Sequence, residues 1–308
     1  MTDDIAARIA WIGADWGTTR LRLFAFDDAD EIIASRTDGP GMNALKPDEF
    51  EPALARLGWT FRDTGKLPPV LICGMAGARQ GWMEAPYVEL PATLDLIVGG
   101  AVTVPCAASV GPVRILPGLC YRYPPAPDVV RGEETQALGL VATAGPGDVT
   151  LVMPGTHSKW LDLRDGVVTS SHTFMTGEVF DLLARQSVLR HSLTADGFDD
   201  TAFLRGVREG AHRPDLLLSR LFHLRAADLL YGGTAETRTG RLSGLLIGAE
   251  LATGLATTGD ASLAIVGSAT LAERYRAALN ELGREAVVHD GDRLVTAGLV
   301  HAWRHLQG

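Results

Sequence analysis

The feature that most restricts how this chain can fold is a unit that occurs twice. Between Ala10 and Thr37 the sequence runs AWIGAD, WGTT, RLRLFAF, DDAD, EIIASRT. Apolar runs of this length, closed by Gly and Asp turns, predict strand, turn, strand, turn, strand. From Val149 the same order returns as VTLVM, PGTHS, KWLDL, RDG and VVTSSHT. Superposing Gly17-Thr18 on Gly155-Thr156 aligns the whole unit at one offset of 138 residues. A period near half of a 308-residue chain points to two copies of one fold, not to a solenoid of short repeats. The expected organisation is an α/β protein of two lobes, residues 1–146 and 147–308, with Gly145-Pro146-Gly147 as helix stop and hinge.

Between the copies, residues 68–77 (PPVLICGMAG) read as a buried strand entering a Gly-rich turn. Residues 131–145 read as a helix whose first turn carries Glu133 and Glu134. In the second half, residues 176–189 and 216–232 have helical apolar spacing, and residues 240–255 (GRLSGLLIGAELATGL) form a small-residue helix suited to close packing. Residues 261–283 read as strand, Gly-Ser turn and helix, and residues 293–307 as a closing amphipathic helix.

Composition excludes several function classes. Hydrophobic residues make up 46% and charged residues 21%, enough for an ordinary packed core, yet no apolar run reaches the roughly 18 residues that span a bilayer. The start, MTDDIAARIAWIGADWG, is acidic where a secretory leader would be basic, so the expected location is the cytoplasm, away from membranes. Cys73, Cys106 and Cys120 form no C-x-x-C pair and no zinc-like spacing, and read as free thiols. A net charge of -9 argues against a nucleic-acid partner, which needs clustered Lys and Arg. Lysine is rare, with Lys46, Lys66 and Lys159 only, so each remaining one draws more interest than usual.

Chemistry concentrates at the repeated turns. In Asp15-Trp16-Gly17-Thr18-Thr19 a strand ends, glycine lets the backbone turn, and hydroxyls and N–H groups are presented together. Such concave donors bind phosphate oxygens, and a neighbouring carboxylate can hold Mg2+ through water. Pro154-Gly155-Thr156-His157-Ser158-Lys159 offers the same donors plus a histidine and a lysine. Either turn alone is also an ordinary hairpin turn; two in equivalent places would grip one polyphosphate from both sides. A third turn, Gly267-Ser268 before a helix, lets backbone approach a flat base such as adenine. The sequence contains no G-x-x-x-x-G-K-[ST] loop, no G-x-G-x-x-G and no protein-kinase motif set.

These turns, in this order, resemble the actin, hexokinase and heat-shock-chaperone superfamily of ATPases. Within it the chain is most similar to the 2-dehydro-3-deoxygalactonokinase family, through residues 74–92 (GMAGARQGWMEAPYVELPA), 131–140 (RGEETQALGL), 153–163 (MPGTHSKWLDL) and 171–183 (SHTFMTGEVFDLL). The resemblance implies two ribonuclease-H-like lobes with a nucleotide cleft between them, the cofactors ATP and Mg2+, and phosphorylation of the 6-hydroxyl of 2-dehydro-3-deoxy-D-galactonate in galactonate breakdown. The sequence departs from many superfamily members in having Met153-Pro154, not an aspartate, before the second phosphate glycine; His157 and Lys159 would then supply charge to the phosphates.

The resemblance places the sugar pocket around Arg79, Gln80, Trp82, Tyr87 and Arg131, with arginine suited to a two-pronged grip on the substrate carboxylate. Glu178, in Thr176-Gly177-Glu178, is a further candidate for the sugar hydroxyls. Glu134 is the candidate base and Glu133 the second choice, while Asp15 is assigned to metal and γ-phosphate alignment. Glutamates in a first helical turn also simply favour the helix dipole. Other readings stay open: a kinase for another sugar acid such as the gluconate epimer, a phosphatase of the exopolyphosphatase kind, or a sugar-sensing regulator on the same fold. The oligomeric state is open too, a homodimer included.

Overall fold

The structure, a computed structural model, describes residues 6–59, 67–106, 110–123 and 126–308. The acidic start up to Ile5, and Lys66, lie outside the described residues. Two compact units are present: residues 1–147, 163–171 and 291–308 form one, and residues 148–162 and 172–290 the other.

In chain order the first unit opens with β1 (Trp11–Trp16), β2 (Arg20–Phe26), β3 (Ile32–Pro40), α1 (Phe50–Leu57) and β4 (Val70–Gly74). Next come β5 (Val88–Glu89), α2 (Leu94–Gly99), β6 (Val102–Val104), β7 (Val113–Ile115), β8 (Leu119–Tyr121), β9 (Asp128–Val130) and α3 (Glu133–Ala144). A six-stranded sheet has the order β3-β2-β1-β4-β7-β6, and β5, β8 and β9 make a small separate sheet. β1 runs antiparallel to β2 but parallel to β4. That mixed position buries β1 on both faces, which is why WIGADW reads as nearly continuous apolar sequence. Ile12, Ala14, Leu21, Ile72 and Ile115 build the core, with Phe50 and Leu54 of α1 packed on it.

The second unit repeats the plan. Its elements are β10 (Val149–Met153), β11 (Ser158–Arg164) and β12 (Val167–Phe174), whose residues 163–171 group with the first unit, then α4 (Thr176–Arg185), α5 (Asp200–His212), α6 (Leu217–Tyr231), α7 (Ala235–Thr258), β13 (Ser262–Gly267), α8 (Ala269–Glu281) and β14 (Val287–Asp290). The sheet order is β12-β11-β10-β13-β14, the same as the first five strands of the other sheet. Moved by 138 residues, the first residue of β1 falls on Val149 and all of β2 falls on Ser158–Arg164. The fold is therefore a duplicated mixed α/β unit. Val152, Trp160, Ile265, Val207 of α5, Ile247 of α7 and Tyr275 of α8 form the second core.

Three features differ from the sequence expectation. Helix α4 stops at Arg185 instead of running to residue 189, because the Ser187 hydroxyl donates to Leu183 O (2.7 Å) and accepts from Leu189 N (3.0 Å), diverting the backbone into a short 3-10 turn. Helix α7 is longer than residues 240–255 and begins at Ala235, capped by the Thr234 hydroxyl. The final helix, α9 (Gly291–Gln307), groups with the first unit, not with the second half of the chain. Its Gly298 lies so close to α3 that an added Cβ would stand 1.9 Å from Thr135 O, and Gly139 of α3 is equally close to Leu294 O. Only residues without side chains let the two helix backbones touch in this way. Among the described residues no helix is long and apolar enough to cross a membrane.

Candidate active site

In the first unit, the parallel pairing of β1 and β4 sets Asp15 opposite Cys73 and Trp16 opposite Gly74 at the ends of their strands. Gly74 has φ +89, and a Cβ there would lie 2.8 Å from Trp16 O. Helix α3 starts after Gly132 (φ +107), whose missing Cβ points 3.5 Å from the Gly74 Cα. Both backbones are in the left-handed region that favours glycine. The result brings the start of α3 against the end of β4, so that Cys73 feels the charges of both Asp15 and Glu134, after burial the main reasons its thiol is pushed well up.

Asp15 accepts from Arg22 Nε at 3.0 Å, and a second guanidinium nitrogen reaches the same oxygen, while Arg22 also pairs with Asp292. The other Asp15 oxygen accepts no hydrogen bond from a described residue. The turn beyond it is held by three backbone bonds: Gly17 N donates to Arg20 O (2.9 Å), Met42 N to Gly17 O (3.0 Å) and Asn43 N to Thr18 O (3.0 Å). Thr18 and Thr19 are exposed, and neither donates a hydrogen bond to a described residue. The turn thus presents donors with no acceptor.

The glutamate pair divides in two. Glu134 has no solvent exposure; it accepts from Gly132 N (2.6 Å) and from the Thr135 hydroxyl (3.0 Å). Burial, then the neighbouring Glu133, pushes its carboxyl up to about 8. Glu133 is half-buried and accepts from Arg131 N at 3.1 Å.

Arg131 is the buried cation of this unit. One terminal nitrogen donates to Ala85 O (2.7 Å), and the guanidinium lies over the Tyr87 ring at 4.4 Å. Its Nε and other terminal nitrogen have no acceptor, and no described acidic side chain pairs with it. Tyr87 and Arg131, 44 residues apart in sequence, are therefore joined, which ties the 74–92 segment to the start of α3. Arg79 and Gln80 are exposed on that segment. Trp82 faces inward, stacked on Phe50 (6.2 Å) and edge-on to Trp16 (6.1 Å), so it packs against the core of the unit.

In the second unit the turn after β10 is built the same way. Glu178 N donates to Thr156 O (2.8 Å), and a Cβ on Gly177 would come 2.3 Å from Gly155 O, so the start of α4 rests directly on the turn. Gly155 N and Thr156 N donate to no described residue. His157 Nε2 stands 2.5 Å from Glu178 Oε2, an ion pair when the ring is protonated. Glu178 therefore lies at the Gly155-Thr156 turn, in a different unit from Arg79, Gln80, Trp82, Tyr87 and Arg131. The Lys159 ammonium donates to the Thr173 hydroxyl on β12 (2.8 Å). Gly267 ends β13 beside Pro154, and Ser268 is the N-cap of α8 with a side chain that makes no capping bond. Next to these elements lies a pocket lined by Gly155, Gly177, Ser243, Leu271, Arg274 and Tyr275.

The sequence reading did not single out Glu250. It is buried in the middle of α7 and accepts from Ser158, Trp160, Thr176 and Tyr275. One signal was available: it is the single acidic residue between Thr237 and Thr258, in a stretch of small and apolar residues. A lone carboxylate on such a helix must find donors.

The chain is similar to known proteins over nearly its whole length. The family described as 2-keto-3-deoxy-galactonokinase matches residues 15–302. A probable 2-dehydro-3-deoxygalactonokinase of Rhizobium meliloti is 42% identical, over 96% of this chain and 96% of its own. The 2-dehydro-3-deoxygalactonokinase of Escherichia coli is 34% identical over 94% of this chain and 96% of its own. A crystal structure of a putative 2-dehydro-3-deoxygalactonokinase from Sinorhizobium meliloti superposes with a TM-score of 0.87 at 40% identity, covering 96% of this chain and 99% of that one.

Proposed function

The chain belongs to the 2-keto-3-deoxy-galactonokinase family, and on that premise we propose that it transfers the γ-phosphoryl group of ATP to the 6-hydroxyl of 2-dehydro-3-deoxy-D-galactonate. The observation that carries the reading is the Gly-Thr turn that recurs at the same place in both units, each time with backbone or hydroxyl donors that no described residue engages. Phosphoryl transfer needs such preset donors more than it needs covalent chemistry. Thr18, Thr19, Gly155 and Thr156 hold phosphate oxygens, Gly17, whose N–H donates to Arg20 O, shapes the first turn, His157 and Lys159 add charge, and Gly267 and Ser268 border the adenosine.

On the acceptor side Arg131 takes the substrate carboxylate, because a buried guanidinium with two unpaired nitrogens and no acidic partner gains most from an anion. Tyr87 fixes its plane, and Arg79 and Gln80 close the same side. Glu134 takes the proton of the attacking hydroxyl as the oxygen bonds to the γ-phosphorus and ADP leaves; a carboxyl pushed up to about 8 is a competent proton acceptor near neutral pH. Among the described residues no cluster of three or more His, Cys, Asp or Glu could hold a metal ion. A Mg2+ carried by ATP fits that donor set, since it takes one or two carboxylates and otherwise phosphate and water, and the free Asp15 oxygen is available. Bound there, Mg2+ would neutralise phosphate charge. We place the enzyme in the cytoplasm, where ATP and three free thiols belong together.

The test is a coupled assay for ADP release with 2-dehydro-3-deoxygalactonate beside its gluconate epimer, with the phosphorylated product identified. The galacto acid should be turned over faster. Phosphate release without a phosphorylated sugar acid would overturn the reading.

A further inference from the structure

Glu250 has a place in the fold that the kinase reading does not use. The residue is only 3% exposed, at the centre of α7. Its Oε1 accepts from the Ser158 hydroxyl (2.6 Å) and Trp160 Nε1 (2.9 Å). Oε2 accepts from the Tyr275 hydroxyl (2.7 Å) and from the Thr176 hydroxyl. Among the described residues no arginine or lysine pairs with it. Four donors on two oxygens fit an ionised carboxylate, which only accepts, better than an acid that must itself donate. Burial raises the carboxyl above its ordinary value, and the four donors pull against that rise.

The origin of the four donors carries the argument. Ser158 and Trp160 open the strand that follows the Gly155-Thr156 turn. Thr176 is the first residue of α4, beside the Gly177 that rests on Gly155 O. Tyr275 belongs to α8, the helix that starts after Gly267-Ser268. Thr176 and Tyr275 also line the pocket next to these turns. A core acid serving stability alone would have no reason to draw its donors from each segment that borders one ligand site. We propose that Glu250 is a positioning residue for the nucleotide: its carboxylate locks the second phosphate turn, the start of α4 and the face of α8 into one preset cradle, without itself touching ATP. This rests on the assignment of ATP to that cradle.

Glu250→Gln keeps the shape but disturbs the network on one side. Trp160 N–H can only donate, so the amide oxygen stays toward Ser158 and Trp160. The NH2 group then faces Thr176 and Tyr275, whose hydroxyls must reverse and accept. Hydrogen bonds to a charged group are the stronger ones, so the Kd and KM for ATP should rise roughly 10-fold or more. The KM for the sugar acid should stay within about twofold, a split that a loss of stability alone does not produce. The measurement is ATP binding by calorimetry with steady-state KM values for both substrates, on wild type, Glu250→Gln, Thr176→Val and Tyr275→Phe. If Glu250→Gln does not fold, the two single-donor variants carry the test, each with ATP Kd expected to rise about threefold or more. ATP constants unchanged in every folded variant, with normal binding by wild type, overturn this proposal alone. Wild type that binds no adenine nucleotide overturns the ATP assignment and this proposal with it.

Discussion

Glu134 and Arg131 are the side chains where burial and charge conflict most. The Glu134 carboxyl, ordinarily near 4.5, is held at about 8 by burial and by Glu133. Between those values the folded protein keeps a proton that the unfolded chain releases. The stability contributed by this group is therefore complete below 4.5 and lost as pH rises through 8, an effect of a few kcal/mol. Glu134→Gln should consequently melt higher than wild type at pH 9, with the difference closing toward pH 4.5, in a series of thermal melts. The same variant should lose at least about 100-fold in kcat, and wild-type kcat should climb toward pH 8 as the base ionises. Glu133→Gln, whose carboxylate lies outside the buried site, should lose much less. For Arg131, replacement by Met should raise the KM for the sugar acid roughly 10- to 100-fold and leave the KM for ATP unchanged, since the loss is of a charge-assisted contact to one substrate.

At the scale of elements, two contacts are made backbone to backbone. The start of α4 rests on Gly155 through Gly177, and α9 rests on α3 through Gly298 and Gly139. Gly298→Ala would put a methyl 1.9 Å from Thr135 O, so the helices must separate or bend. An overpacked contact of this kind costs about 1–3 kcal/mol, measurable as a lower denaturation midpoint with an unchanged slope. Because Thr135 is in the first turn of α3, beside Glu134, the variant should also lose activity out of proportion to its folded fraction. Gly177→Ala, with its Cβ 2.3 Å from Gly155 O, should act on the other side and raise the KM for ATP.

For the whole molecule, the division into units is not the division of the sequence into halves. The first unit includes residues 291–308, so its core is complete only when the last helix has been made. Leu294, Val295, Leu299 and Ala302 of α9 are buried, and removing them from water is a large part of what keeps α3 in place. A chain ended at Asp290 should therefore lose its first unit cooperatively, seen as a marked drop in helical circular dichroism and rapid proteolysis of residues 1–147. Trimming an ordinary exposed terminus would change neither.

Patterns that are local in sequence settled the architecture. Period and turn chemistry located the duplicated strands, because each strand's burial is written in its own residues and its turns need Gly, Asp or Thr. The Glu-Glu helix start and both Gly-Thr turns were legible for the same reason. Shorter or more distant dependences were not. Strands of two or three residues such as β5, β8 and β9 are too short to show a period. Helix α5 was not singled out, although α7 packs on it. What only the tertiary structure decided is which polar groups meet. Arg131 finds Tyr87 and no acid among the described residues, Glu134 is sealed off while Glu133 is not, and Glu250 collects donors from residues 158, 160, 176 and 275. Burial and hydrogen bonding of such groups depend on contacts between segments far apart in the chain, and no spacing along one segment encodes them.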